Sequence, residues 1–235
     1  MKAYGQFCPL AQATQLLCER WTLLIVRELI AGCTRFSELQ KGLPLISPTL
    51  LSTRLKQLLK VGIIIQTKEA NSYKYTLTKA GTELRPIVEL MGAWGHRWAQ
   101  SDLNDEDLDA GLLMWDMRRS IDPSVFPARK IVVHFEYSNV PKGATQWWLI
   151  SENNKIDLCL NDPGYEVDIV IKCSLAAMTE VWICKTPFDQ VVAQGRIKVF
   201  GDPKLTSNLQ SWIRSSLLSR LGTVKNLPPL NWAVN

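Results

Sequence analysis

Apolar positions in the first hundred residues recur at helical spacing and then alternate briefly. Leu10 to Leu17 reads as a short apolar helix. Trp21–Ile30 (WTLLIVRELI) is apolar almost all round, which predicts a buried central helix ended by Gly32. Ser37-Glu38-Leu39-Gln40 has the capping-box form, with the Ser37 hydroxyl accepting from the Gln40 amide. A short helix is expected there, stopping near Gly42-Leu43-Pro44. Ser47-Pro48 offers an N-cap and a first-turn proline. The helix Pro48–Lys60 then places Leu51, Leu55 and Leu58 at i, i+4 and i+7. Its other side carries Thr49, Ser52, Thr53, Lys56, Gln57 and Lys60, and Gly62 closes it. Ile63–Thr67 and Ser72–Thr78 are β-branched and aromatic around Glu69-Ala70-Asn71, a hairpin signal. Thr82–Trp98 returns to helical periodicity, with Leu84, Ile87, Val88, Met91 and Trp94 or Trp98 along one side and Pro86 tolerated in the first turn.

The segment Ser101–Asp109 (SDLNDEDLD) is acidic and poor in bulky apolar residues, so it reads as a boundary. The expected organisation is a domain over residues 1–100, a linker with a short helix over 101–128, and a second domain over 129–235. In the second half, Gly111–Arg119 reads as a helix, and Lys130–Tyr137, Gln146–Ser151, Ile156–Leu160 and Glu166–Lys172 as strands. Leu175–Cys184 reads as a helix, Arg196–Phe200 as a fifth strand and Pro203–Leu218 as an amphipathic helix. Strands followed by helices predict an α+β fold: an antiparallel sheet with helices on one face.

Charge sharpens the division. Residues 1–100 hold 13 Lys+Arg against 6 Asp+Glu, a net +7, whereas residues 101–235 hold 14 against 16, a net −2. A basic front half suits a polyanionic partner, and a chance surface asymmetry would look the same. No apolar run reaches membrane-spanning length and Met1–Leu10 lacks an apolar signal region, so the cytoplasm is the expected location. Six cysteines show no CxxC spacing and the two histidines, His96 and His134, are isolated, so neither a metal site nor any other cofactor is expected. No Ser-His-Asp arrangement, GxGxxG or Walker loop is present, which argues against an enzyme.

Two helices joined by a short turn and followed by a hairpin give the order of a winged helix-turn-helix. A helix fits the DNA major groove, where short polar side chains reach base edges. Thr49, Ser52, Thr53 and Gln57 are the candidate base readers, Lys56, Lys60 and Arg54 are candidates for phosphates, and the N-cap Ser47 is a further candidate for contact with DNA. Arg35, Lys68 and Lys74 can grip the backbone from the wing side. The same pattern also fits a solvated amphipathic helix. Cys8-Pro9-Leu10, Trp21-Thr22-Leu23-Leu24-Ile25, Arg35-Phe36-Ser37-Glu38-Leu39, Ile46-Ser47-Pro48, Leu51-Ser52-x-Arg54-Leu55 and Tyr75-x-Leu77-Thr78-x-x-Gly81 resemble the HxlR family, a MarR-like group of bacterial regulators. The resemblance runs from about Cys8 to Trp98. It implies a winged-helix fold, a homodimer built on terminal helices, operator binding at an inverted repeat and, most often, repression. Thr49 stands where the family often has arginine, and the wing lacks the usual proline-containing turn.

The resemblance also singles out Cys8, since some members sense electrophiles or oxidants through a cysteine at this place. A structural thiol is the alternative. Asp162-Pro163-Gly164-Tyr165-Glu166-Val167-Asp168-Ile169, Leu175-x-x-Met178-Thr179-Glu180-Val181-Trp182 and Gln194-Gly195-Arg196-Ile197-Lys198-Val199-x-Gly201-Asp202 resemble the sterol-carrier-protein-like (SCP2-like) domain. There Trp147, Leu149, Leu158, Met178, Trp182, Phe188, Phe200, Leu205, Leu209 and Trp212 are candidates for lining a tunnel that takes an apolar small molecule. The same residues also fit a closed core. A hydrophobic-ligand carrier without specific DNA binding is the competing class.

Overall fold

The structure is a computed structural model that describes residues 4–70, 72–99, 103–141, 143–207, 209 and 213. The chain forms two compact units, Met1–Glu89 and Leu90–Asn235.

In the first unit, Pro9 opens helix α1 (Pro9–Leu17) in the position that suits proline. Helix α2 (Thr22–Ile30) follows after Trp21, whose left-handed backbone (φ 78°) turns the chain. Helix α3 (Phe36–Gly42) and helix α4 (Pro48–Lys60) come next. Strands β1 (Ile64–Glu69) and β2 (Ser72–Leu77) form an antiparallel hairpin in which Ile64 faces Leu77 and Glu69 faces Ser72. Helix α5 (Lys79–Thr82) leads into helix α6 (Arg85–Trp98), which crosses from one unit to the other. Ile25, Leu39, Ile46, Leu51, Leu55 and Ile64 make the fully buried centre.

Three expectations for this unit are corrected. Helix α3 starts at Phe36, not Ser37; the Glu38 carboxylate accepts from the amides of Thr34 (2.7 Å) and Arg35 (3.0 Å). Gln40 instead donates to the Ile46 carbonyl (2.7 Å), which ties down the turn before α4. Helix α2 is not buried throughout, since Leu24 is exposed, and what it buries includes a charge, Glu28. The Glu28 carboxylate accepts from Arg27 Nε (2.8 Å) and Cys33 Sγ (3.6 Å), and Arg27 Nη2 donates to the Gly42 carbonyl (3.2 Å). Lastly, the helix expected over 82–98 is α6, which begins at Arg85, and a separate short helix, α5, precedes it. Thr78 caps α5 by accepting from the Gly81 amide (3.2 Å), and Gly81 is pressed against the Ile63 carbonyl, where no Cβ fits.

The second unit contains helix α7 (Ala110–Ser120), capped by Asp109, which accepts from the Leu112 amide at 2.8 Å. Strands β3 (Ile131–Ser138), β4 (Gln146–Glu152), β5 (Lys155–Cys159) and β6 (Ile169–Ser174) follow. Then come helix α8 (Leu175–Trp182), helix α9 (Phe188–Ala193), strand β7 (Ile197–Gly201) and helix α10 (Pro203–Thr206). The sheet order is β5-β4-β3-β6-β7. The expected antiparallel sheet is corrected to a mixed one, because β3 and β6 run parallel. The reason is a crossover: residues 160–168 carry the chain from the β5 edge past β4 to the far side of β3. Strand β6 begins at Ile169 rather than Glu166; Asp168 precedes it, taking the Val132 amide (2.9 Å) on its carboxylate and Arg129 beside it (2.7 Å). Met114, Met117, Phe135, Leu149, Met178 and Ile171 knit the helices to one sheet face in a single core. Trp182 Nε1 donates to Asp116 (2.6 Å), which Arg119 also holds (2.8 Å).

Candidate nucleic-acid interface

Helix α4 has two sides with opposite chemistry. Leu51, Leu55 and Leu58 are buried at 0%, 1% and 3% exposure, so the helix cannot rotate without losing roughly 2–5 kcal/mol per leucine removed from the core. That fixes the opposite side outward. Ser47, Thr49, Thr53, Lys56, Gln57 and Lys60 are exposed and Ser52 is half-buried. Ser47 caps the helix by accepting from the Leu50 amide (3.2 Å), and Thr53 donates back to the Thr49 carbonyl (2.9 Å). Short polar groups and lysines therefore share the one face of α4 that the core leaves open.

The cations separate into two sets. Among the described residues, Lys56, Lys60 and Lys68 have no ion-pair partner. Arg35, Lys74 and Arg54 do. Arg35 reaches Ser72 (2.6 Å) and Glu69 (3.2 Å), and Lys74 lies 3.8 Å from Glu69. With the Tyr75 amide donating to the Thr34 carbonyl (2.7 Å), this staples the hairpin to the start of α3. These pairs are close to half exposed, where an ion pair contributes only about 0–1 kcal/mol, so Arg35 and Lys74 can exchange Glu69 for a phosphate. Arg54 differs. Its side chain is 13% exposed and is bonded to Glu19 (2.8 Å), the Arg20 carbonyl (3.1 Å) and Gln57 (2.8 Å). The expectation that Arg54 meets phosphate does not suit this placement, because its donors are already taken by Glu19, the Arg20 carbonyl and Gln57.

The other predicted residues fall as follows. Cys8 is exposed immediately before α1, and Cys18, at its far end, is exposed as well. Cys33 and Cys173 are buried, and burial pushes the Cys173 thiol up to about 12. At pH 8 only about one Cys173 in ten thousand would be thiolate, the reactive form. Alkylation of the native chain at pH 8, read by mass spectrometry, is therefore expected to label Cys8 and Cys18 first and to spare Cys173 until denaturant is added. Of the tunnel candidates, Trp147, Leu149, Met178, Trp182 and Leu209 belong to the buried core, with Leu158, Phe188 and Leu205 half-buried at its margin. Phe200 is corrected: it is 51% exposed on edge strand β7, on the sheet face away from that core. Trp212 lies outside the described residues. Sequence reasoning missed Glu19, Glu69 and Ser72, the intramolecular partners of the cations.

The helices, turn and hairpin define a helix-turn-helix protein. Residues 16–103 match the model of the HxlR-like helix-turn-helix family. The chain is 34% identical over 105 residues to the HTH-type transcriptional regulator YvaP of Bacillus subtilis, covering 43% of this chain and 97% of the relative. It is 37% identical over 90 residues to the HTH-type transcriptional regulator Rv3095 of Mycobacterium tuberculosis, covering 37% of this chain and 56% of the relative. The match thus spans little more than half the length of the mycobacterial protein. The solved structure of the reduced form of the transcriptional regulator YodB from B. subtilis is 33% identical, with 40% of this chain and 97% of that chain covered and a TM-score of 0.36. The chain belongs to the HxlR-like helix-turn-helix family. No helix among the described residues is long and apolar enough to cross a membrane.

Proposed function

We propose that the chain is a DNA-binding transcription regulator of the cytoplasm, acting as a homodimer with one α4 in the major groove at each half of an inverted repeat. The supporting observation is the polarity of α4: three leucines hold it in the core, and past Pro48 every fully exposed side chain is polar or a lysine. Lys56, Lys60 and Lys68 contact phosphates, with Arg35 and Lys74 joining when they leave Glu69. Thr49, Ser52, Thr53 and Gln57 face base edges. The two-fold arrangement rests on α6, where Ile87, Met91, Trp94 and Trp98 are exposed at helical spacing, and on Leu10 and Leu16 of α1, exposed likewise. A dimer places the two recognition helices about one DNA turn apart. Occupying an operator in this way excludes polymerase, so the expected outcome is repression.

Phosphate contacts are tested by salt. Lys60→Ala is expected to weaken binding to all sequences and to lower the slope of log affinity against log salt by about one. A Lys60 variant with the parental slope would remove it from the interface. A hydrophobic-ligand carrier, by contrast, would enrich no sequence in a selection of bound genomic fragments.

A second reading concerns control. Cys8 presents an exposed thiol at the head of α1, beside the exposed Leu10 that the dimer would cover. Modifying that thiol would change the packing of α1 and release the operator. Quinone or diamide is expected to dissociate the parental complex and to leave the Cys8→Ser complex bound; equal responses would end this reading. The SCP2-like resemblance of residues 130–213 adds an apolar small molecule bound within that unit. Native mass spectrometry of the purified chain would reveal such a passenger.

A further inference from the structure

Arg54 fixes the glutamine amide on the open side of α4. Its three kinds of nitrogen go to three different places: Nε donates to the Arg20 carbonyl (3.1 Å), Nη2 to Glu19 Oε2 (2.8 Å) and Nη1 to Gln57 Oε1 (2.8 Å). Glu19 and Arg20 lie in the link between α1 and α2, so the guanidinium is anchored on a part of the unit separate from α4. An arginine has five donors and no acceptor. The amide of Gln57 therefore has to turn its oxygen toward Arg54 and its NH2 away. Gln57 itself is exposed, so the outward group is available to a partner.

We propose that Glu19 and Arg54 act as positioning residues that turn Gln57 into a donor-only reader, selecting guanine at the base pair it faces. The inference rests on α4 lying in the major groove. An unconstrained glutamine reads adenine with both ends of its amide, accepting from N6 and donating to N7. With its oxygen drawn to Arg54, Gln57 offers only N–H groups. Guanine presents two adjacent acceptors, N7 and O6, whereas adenine presents one acceptor beside an amino donor, and cytosine presents a donor. Two donors meet guanine without conflict and meet adenine with one N–H opposed to another.

The test is binding of the full-length chain to its selected site and, position by position, to the three versions of that site that differ at one base pair. Gln57→Ala identifies the base pair, as the one whose preference it flattens. There the parental chain is expected to favour guanine over adenine by about 10-fold. Gln57→Glu keeps an oxygen for Arg54 but turns its second oxygen, an acceptor, outward. Its preference is expected to move to cytosine or adenine by a similar factor, whose amino groups donate; the added negative charge weakens all four sites equally and cancels in the ratio. Arg54→Lys can still face Glu19 but lacks the fork that reaches Gln57, so adenine should become as good as guanine while other positions keep their preferences. A loss of stability alone would lower affinity without moving one base preference. Parental preference for adenine, a Gln57→Glu chain that still favours guanine, or an Arg54→Lys chain with the parental profile would each overturn the proposal. A parental chain that binds no duplex would instead remove the groove placement itself, and the proposal with it.

Discussion

Gly42→Ala is expected to destabilise the helix-turn-helix unit by about 3–5 kcal/mol, the range for breaking a buried ion pair. Gly42 ends α3 and is buried, and a Cβ built there falls inside the van der Waals shell of the Glu28 carboxylate. That carboxylate has nowhere to go. It is fully buried, receives Arg27 and Cys33, and lies under the same Gly42 whose carbonyl receives the other end of Arg27. Moving it strands a charge away from water and leaves a guanidinium half-satisfied. For a unit of this size each kcal/mol shifts melting by about 4–8 °C, so the variant should melt more than about 10 °C lower. Gly95 makes the contrast. It sits inside α6 with no heavy atom near the position of its missing Cβ, so Gly95→Ala should stabilise by about 0.5–1 kcal/mol through helix propensity. Circular dichroism melts of the two variants check both signs. A Gly42→Ala chain that melts with the parent would show that Glu28 is free to move.

The second large effect is on assembly. Met91, Trp94 and Trp98 are 54%, 58% and 74% exposed along one side of α6, the stripe on which the proposed dimer rests. Met91→Glu with Trp94→Glu is expected to yield monomers in sedimentation and to weaken operator binding by at least about 100-fold, since linked half-sites gain that much from simultaneous engagement. The melting temperature should fall only by what dimer association contributes and should stop depending on protein concentration, because the replaced side chains are exposed within the single chain. Unchanged mass with unchanged affinity would place the two-fold contact elsewhere.

How far the sequence anticipated these features depended on whether the cause was local. Leu51, Leu55 and Leu58 announced the buried side of α4, and Ser47-Pro48 its start, because caps and stripes act within a few residues. The hairpin was visible for the same reason. Ser37 misled because a serine two positions inside the helix looks like a cap; Glu38, reaching back to Thr34 and Arg35, held the actual start. The role of Arg54 was hidden, since its partner Glu19 is 35 residues away in the chain. A carboxylate inside the apolar run of α2, next to Arg27, was the signal that could have revealed the Glu28 site. In the second unit the strands were readable by alternation, but the parallel pairing of β3 with β6 depends on where residues 160–168 lead, which no local pattern encodes. Phe200 shows the same limit: period two put it on a sheet face, and only the sheet order said that the face was the outer one.

The groove placement of α4 is tested most directly by hydroxyl-radical footprinting of the full-length chain on its selected operator at low salt, with Gln57→Ala and Lys60→Ala beside it. The account predicts two protected patches about one helical turn apart, related by a two-fold axis, with base preference altered by Gln57→Ala and salt dependence altered by Lys60→Ala. Absence of protection on any duplex, or a footprint that both substitutions leave untouched, would contradict it.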